Sequence, residues 1–211
     1  EIAPTVFGAV PRIWEKFYSG VLIQLKEASP LQRSAYGIAI GIGYKVAKLR
    51  EARKPVPAVL RFAFWLARAL VLDNVRKVIG VHRARSLFTG AAPISPDLVR
   101  WYMALGLEMI EVWGQTESGG VSTGNLAGRV KPGSIGPALP RTEVKLSPEG
   151  EILVKSPAVF MGYLNQPEKT AETLRDGWLH TGDVGFIDNE GYLKITDRMK
   201  DIIITAGGKN I

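Results

Sequence analysis

Apolar positions along this chain change their period twice. TVFGAVP (5–11) reads as a short strand closed at Pro11. RIWEKFYSGVLIQLKEA (12–28) then repeats its apolar residues at helical spacing, with Ile13, Phe17, Val21 and Leu25 on one predicted face. A second helix is predicted over 30–54, with GIAIGIG at its centre. No strand precedes those glycines, so close packing against a neighbouring helix explains them better than a dinucleotide loop. VPAVLRFAFWLARALVL (56–72), the most hydrophobic run, predicts a third helix.

From SLFTG onward the texture is different. A strand there leads through AAPISPDLVRWYMALG, a loop and helix, to a second strand in LEMIEVW. Strand, helix, strand in that order predicts a parallel sheet with functional loops at the carboxyl ends of its strands. After Gly120 the chain turns rich in Gly and Pro. It then alternates as strands do, in TEVKLS, EILVKS, VGFIDNEG, YLKIT and IIIT. The expected fold class is α/β, with an α/β part over 1–125, a β-rich part over 126–197 and a closing segment over 198–211.

Composition adds one local feature. The chain has 211 residues, 46% hydrophobic and 22% charged, enough for a core, and no cysteine, so disulfide frameworks and thiolate metal sites are excluded. Its net charge of +7 is unevenly placed: residues 31–85 hold twelve Lys or Arg against only Glu51 and Asp73. Within that basic insertion the apolar run carries Arg61 and Arg68, each costing about 2.5–3.5 kcal/mol at a bilayer centre. An amphipathic helix, packed on its own protein or lying on a membrane surface, is therefore expected in place of a spanning one. Phe62, Phe64 and Trp65 sit at core spacing, not as a stacking platform, which argues against a nucleic-acid partner.

Candidate chemistry begins at EVWGQTESGG (111–120). An apolar strand breaks there into Gly114, Gln115, Thr116 and Glu117. Thr116 as a helix cap with Glu117 in the first turn is one explanation; a phosphate-and-magnesium corner is the other. Four further stretches bear on the choice: FTGAAP (88–93), KPGSIGPALP (131–140), GWLHTGDVG (177–185) and TDRMKDIIITAGGKNI (196–211). Singly they read as a turn, a loop, an aspartate capping a bend and a solvated charge run. In this order and at these separations they resemble the adenylate-forming enzymes, most closely the long-chain fatty acyl-CoA synthetases. VPRIWEKFYSGV and the long basic insertion are similar to those synthetases in particular.

The resemblance implies the later part of that superfamily's large N-terminal domain, a parallel α/β subdomain followed by a β-rich distorted barrel, ending at the hinge to a lid. It implies ATP, Mg2+ and coenzyme A, with a fatty acid as substrate. Trp113, where relatives commonly have Tyr, would lie on the adenine face, and Gly114 and Gln115 would pass close to the nucleotide. Thr116 would donate to the α-phosphate and Glu117 would bind magnesium. Gly90, Ala91 and Ala92 would wall the other side of the adenine, Asp183 would accept both ribose hydroxyls, and Arg198 would stand beside it. Asp197 occupies a position where relatives often have Gly. Lys200 would be the hinge, and Gly207 and Gly208 would open the lid near the thiol.

The loop gripping the β- and γ-phosphates is expected before Glu1, and the lid lysine after Ile211. A steroid, aromatic or branched acid on the same fold is the competing substrate class, and a non-catalytic nucleotide-binding or membrane-interaction module is a third reading. A cytoplasmic location, with peripheral membrane contact through 45–85, is the expectation that follows.

Overall fold

The computed structural model describes residues 3–198. They divide into two compact units, one running to Ile110 and including Ala127–Pro132, the other formed by Glu111–Leu126 and the chain from Gly133 onward. The division falls inside a strand, between Ile110 and Glu111, with a short return to the first unit.

The first unit opens with β1 (Val6–Ala9) and α1 (Pro11–Glu27), which has proline at its first turn, where no N–H is missed. The face α1 buries is centred on Trp14 and Val21, while Ile13, Phe17 and Leu25 stay half-buried. Trp14 is fully enclosed: its indole N–H donates to the Ala9 carbonyl at 3.0 Å, and its ring meets Phe7 and Tyr102 edge-on, each 5.3 Å away. Burial of the Tyr102 phenol, whose O–H donates to the Trp14 carbonyl, holds its pKa above the ordinary value.

A capping box starts α2 (Pro30–Glu51): Ser29 Oγ accepts from the Gln32 N–H, and Gln32 returns the bond to the Ser29 N–H. Of the α2 glycines, Gly43 is the one needed for packing. A Cβ there would overlap the carbonyl of Ala104, at the end of a later helix, whereas Gly37 and Gly41 face open space.

The apolar run forms α3 (Ala58–Ala67), a π-helical turn over Arg68–Leu72 and α4 (Asp73–Val78). Arg68 and Arg76 converge there on one oxygen of Asp73, at 3.0 and 3.1 Å. Arg76 is 6% exposed, so neither it nor Arg68 adds a free charge to the surface expected of this segment. Phe64 is buried, but Phe62 and Trp65 are 63% and 62% exposed and stack on each other at 5.9 Å. Val59, Leu66 and Leu70 extend the same open apolar stripe, with exposed Arg61 beside it. Among the described residues no helix is long and apolar enough to cross a membrane.

β2 (Ser86–Thr89) then pairs in parallel with β1. α5 (Pro96–Ala104) packs on α2, where Arg100 holds Glu51 through two bonds of 2.9 and 3.1 Å. β3 (Met109–Gln115) leaves this unit and enters the second.

In the second unit β4 (Gly120–Gly124) returns antiparallel to β3. A curled antiparallel sheet follows, of β5 (Glu143–Leu146), β6 (Glu151–Lys155), β7 (Leu174–Arg175), β8 (Trp178–Ile187) and β9 (Leu193–Arg198), with α6 (Pro167–Thr173) leading into β7. Its core is Trp113, Ile152, Val154, Leu179 and Leu193. HTGD lies inside β8, so the reading of Asp183 as the cap of a bend is overturned. The strand expected in IIIT lies outside the described residues.

Candidate functional site

The second unit gathers seven of the candidate site residues singled out in the sequence: Trp113, Gly114, Gln115, Thr116, Glu117, Asp183 and Arg198. β3 bulges between Trp113 and Gly114, and any Cβ on Gly114 would overlap the Gly120 carbonyl. Approach of β4 therefore already demands this glycine, before any ligand is considered. A single 3-10 turn, Thr116–Ser118, follows, and Gln115 caps it. The Gln115 side chain accepts from the Ser118 N–H, and Ser118 Oγ accepts from the Gln115 N–H at 3.0 Å. Capping thus belongs to Gln115 and Ser118, not to Thr116. The Thr116 side chain is exposed and forms no hydrogen bond among the described residues.

Asp183 is the centre of the arrangement. β8 directs it inward, leaving it 6% exposed, and pairing of β8 with β9 sets it opposite Arg198. One carboxylate oxygen accepts from the Trp113 indole N–H at 2.8 Å and from the Gln115 amide at 3.3 Å. The other accepts from Arg198 Nε at 2.9 Å. Gln115 also donates to the Thr181 carbonyl at 2.8 Å, which ties the end of β3 to HTGD. Arg198 Nη1 is buried and has no partner among the described residues. Beside a carboxylate, an unpaired guanidinium donor is an opening for an anionic or hydroxyl-bearing ligand. Trp113 has its ring in the core and is 9% exposed, so its polar edge is the part that reaches the site.

Glu117 is half-buried, and one of its carboxylate oxygens accepts from the Tyr163 hydroxyl at 2.7 Å. Burial, and then this bond, raise the Tyr163 pKa. No other partner of the Glu117 carboxylate is present among the described residues, nor is any cluster of three or more His, Asp or Glu able to hold a metal by itself. That donor set fits magnesium, which is held by one or two carboxylates and completes its shell with phosphate oxygens and water.

HTGD has its own support. Glu151, 8% exposed, accepts from the Gly182 N–H at 2.9 Å and meets His180 Nδ1 at 2.8 Å. Thr181 Oγ1 donates to the Ile152 carbonyl at 2.7 Å. Tyr163, Ser118 and Glu151 are functional neighbours that the sequence did not disclose. Tyr163 stands 46 positions from Glu117, and no local pattern spans that separation.

Gly90, Ala91 and Ala92 belong to the first unit and form the loop after β2. Ala91 has φ 65°, a left-handed conformation that costs an L-residue about 1 kcal/mol. Such strain clusters at functional loops. Lys200, Gly207 and Gly208 lie outside the described residues.

Known proteins place this geometry in context. Over 213 residues the chain is 38% identical to a putative fatty-acid–CoA ligase, fadD11, of Mycobacterium tuberculosis, covering 100% of this chain and 37% of that protein. A long-chain-fatty-acid–CoA ligase, ACSBG2, of Gallus gallus is 38% identical over 218 residues, covering 100% of this chain and 28% of its own length. The chain thus spans about a third of the length of these curated relatives. Among solved structures, ATP-bound MatB from Rhodopseudomonas palustris superposes with a TM-score of 0.53 at 33% identity, over 66% of this chain and 32% of that one. The profile of the AMP-binding enzymes matches residues 1–164, through β3, its turn and the strands as far as β6, and the chain belongs to that family.

Proposed function

We propose that this chain supplies the nucleotide site of a ligase that activates a long-chain fatty acid with ATP and passes the acyl group to coenzyme A. The observation that carries the reading is the Asp183 carboxylate, buried and held by Trp113, Gln115 and Arg198, with an unpaired Arg198 N–H beside it. A carboxylate resists attack by a thiol because its charge repels the nucleophile and oxide is a poor leaving group. Attack of a fatty-acid oxygen on the α-phosphorus of ATP forms an acyl-adenylate and releases pyrophosphate. The thiol sulfur then bonds to the acyl carbon, and AMP leaves with the oxygen. Such chemistry depends on alignment and charge neutralisation.

In this proposal Asp183 accepts from the ribose and Arg198 donates to the ribose or phosphate. Two bonds on one Asp183 oxygen and one on the other leave about one of its four acceptor positions open. Gripping both ribose hydroxyls therefore requires the long Gln115 bond to yield. Thr116, free of the capping role, donates to the α-phosphate. Glu117 holds magnesium, which when bound neutralises charge on the phosphate oxygens. Trp113, Gly114 and Gln115 form the edge along which the base lies; the roles of Gly90, Ala91 and Ala92 toward the adenine, of Lys200 as hinge and of Gly207 and Gly208 toward the thiol are proposed from the family resemblance alone.

Residues 45–85 carry the second part of the proposal, contact with an anionic membrane surface in which a long-chain acid dissolves. The open stripe of Val59, Phe62, Trp65 and Leu70, with exposed Lys48, Lys54, Arg61 and Lys77 in the same segment, supports it. Each nearby cation adds roughly 1 kcal/mol at such a surface.

Pyrophosphate release by the full-length protein, measured over a panel of acids with and without coenzyme A, tests the reading. Fastest release is expected with long-chain acids. A steroid, aromatic or branched acid turned over faster would change the substrate class, and ATP-independent behaviour with every acid would reject the activity.

A further inference from the structure

The stretch FMGYLNQPEKT (160–170), which carries Tyr163 to the site, is built onto Glu117 at two points. The Phe160 N–H donates to the Glu117 carbonyl at 2.8 Å, and the Tyr163 hydroxyl donates to the Glu117 carboxylate at 2.7 Å. Tyr163 is itself fixed. Its backbone N–H donates to Thr170 Oγ1 at 2.9 Å, and that hydroxyl donates to the Gln166 carbonyl at 2.9 Å. Gly162 makes the approach possible, because its φ is +149° and a Cβ there would press on Thr170 Cγ2 at 2.6 Å. The Tyr163 ring packs edge-on against Phe160 at 4.8 Å, and Lys169 Nζ lies over it, 4.7 Å from the ring centroid. On the other side of the turn, Gly119, at φ +74°, comes so close to Ala158 that a side chain would meet its carbonyl.

A half-exposed glutamate has three rotatable bonds and no reason to hold one orientation on its own. The geometry points to Tyr163 as a positioning residue that fixes the Glu117 carboxylate, occupying one oxygen and presenting the other to the magnesium of bound ATP. The inference rests on the reading of Glu117 as the metal ligand. Tyr163 suits the task because its phenolic O–H is a donor and the Glu117 carboxylate an acceptor with further lone pairs left over. Partners of this kind, which hold a ligand without touching the metal, typically change metal affinity by about 10–100-fold when removed.

The test uses the full-length enzyme and Mn2+ as the probe, titrated by electron paramagnetic resonance in the presence of a non-hydrolysable ATP analogue. Tyr163→Phe keeps the ring and removes the donor. It should raise the half-saturating Mn2+ concentration about tenfold, and shift the magnesium dependence of pyrophosphate release more than the rate at saturating metal. Thr170→Val, which loosens the anchor of Tyr163 and keeps the phenol, should give a smaller rise in the same direction, and it decides the matter if Tyr163→Phe does not fold. Glu117→Gln separates the two layers. If it binds Mn2+ as the wild type does, the metal-ligand reading fails and the inference falls with it. If Glu117→Gln weakens binding while folded Tyr163→Phe, or Thr170→Val in its place, binds as the wild type does, Glu117 keeps its role and the tyrosine only packs.

Discussion

Asp183 is buried and carries three donors, so its replacement is expected to touch both binding and stability. Asp183→Ala leaves the Trp113 indole, the Gln115 amide and the Arg198 guanidinium without their shared acceptor. An unsatisfied buried group costs about 1–3 kcal/mol. We expect loss of AMP affinity by isothermal titration together with a fall of about 2 kcal/mol in unfolding free energy by urea titration. Unchanged AMP affinity in a folded variant would remove the ribose role. At this scale the sequence was most informative where the site is contiguous: Thr116 and Glu117 lie on one turn, and Asp183 and Arg198 lie in two recognisable stretches. It was least informative about the reasons. Gly114 is required by the Gly120 carbonyl, and the cap is shared by Gln115 and Ser118, facts that depend on a strand partner and a bulge which no local spacing encodes.

Elements were legible as far as their apolar period reached. The order of strands and helices from Val6 to Gln115 follows the pattern, and β2 and β3, the two strands of the strand-helix-strand stretch, are neighbours in one sheet, with β1 parallel to β2. The helix expected over 56–72 runs on without leaving helical conformation, through a π-helical turn at Arg68–Leu72 into α4, and Arg68 there reaches Asp73, a long-side-chain contact outside any hydrophobic count. That detail changes the membrane prediction. Arg68 and Arg76 are committed to Asp73, so the cations to remove are the exposed ones. In full-length protein, replacing Lys48, Lys54, Arg61 and Lys77 with Gln should abolish salt-sensitive sedimentation with anionic vesicles and spare pyrophosphate release with a soluble medium-chain acid. Phe62 and Trp65 replaced by Ser should weaken vesicle binding at all salt concentrations. Wild-type protein that stays in the supernatant at low salt would rule out the membrane surface.

At the scale of the molecule, the chain holds one compact unit of helices on a parallel strand pair and one curled antiparallel sheet, and β3 runs from the first into the second. The second unit contains the Asp183 arrangement entire, including the turn that bears Thr116 and Glu117. The central claim is that a fatty-acid oxygen attacks the α-phosphorus of ATP at this arrangement. Its most direct test supplies the full-length protein with ATP, coenzyme A and a long-chain acid whose carboxylate oxygens are both 18O, and reads the products by mass spectrometry. The account predicts AMP carrying one 18O atom for each acyl-CoA formed, together with unlabelled pyrophosphate. Unlabelled AMP, or label appearing in inorganic phosphate with ADP as the nucleotide product, would contradict it.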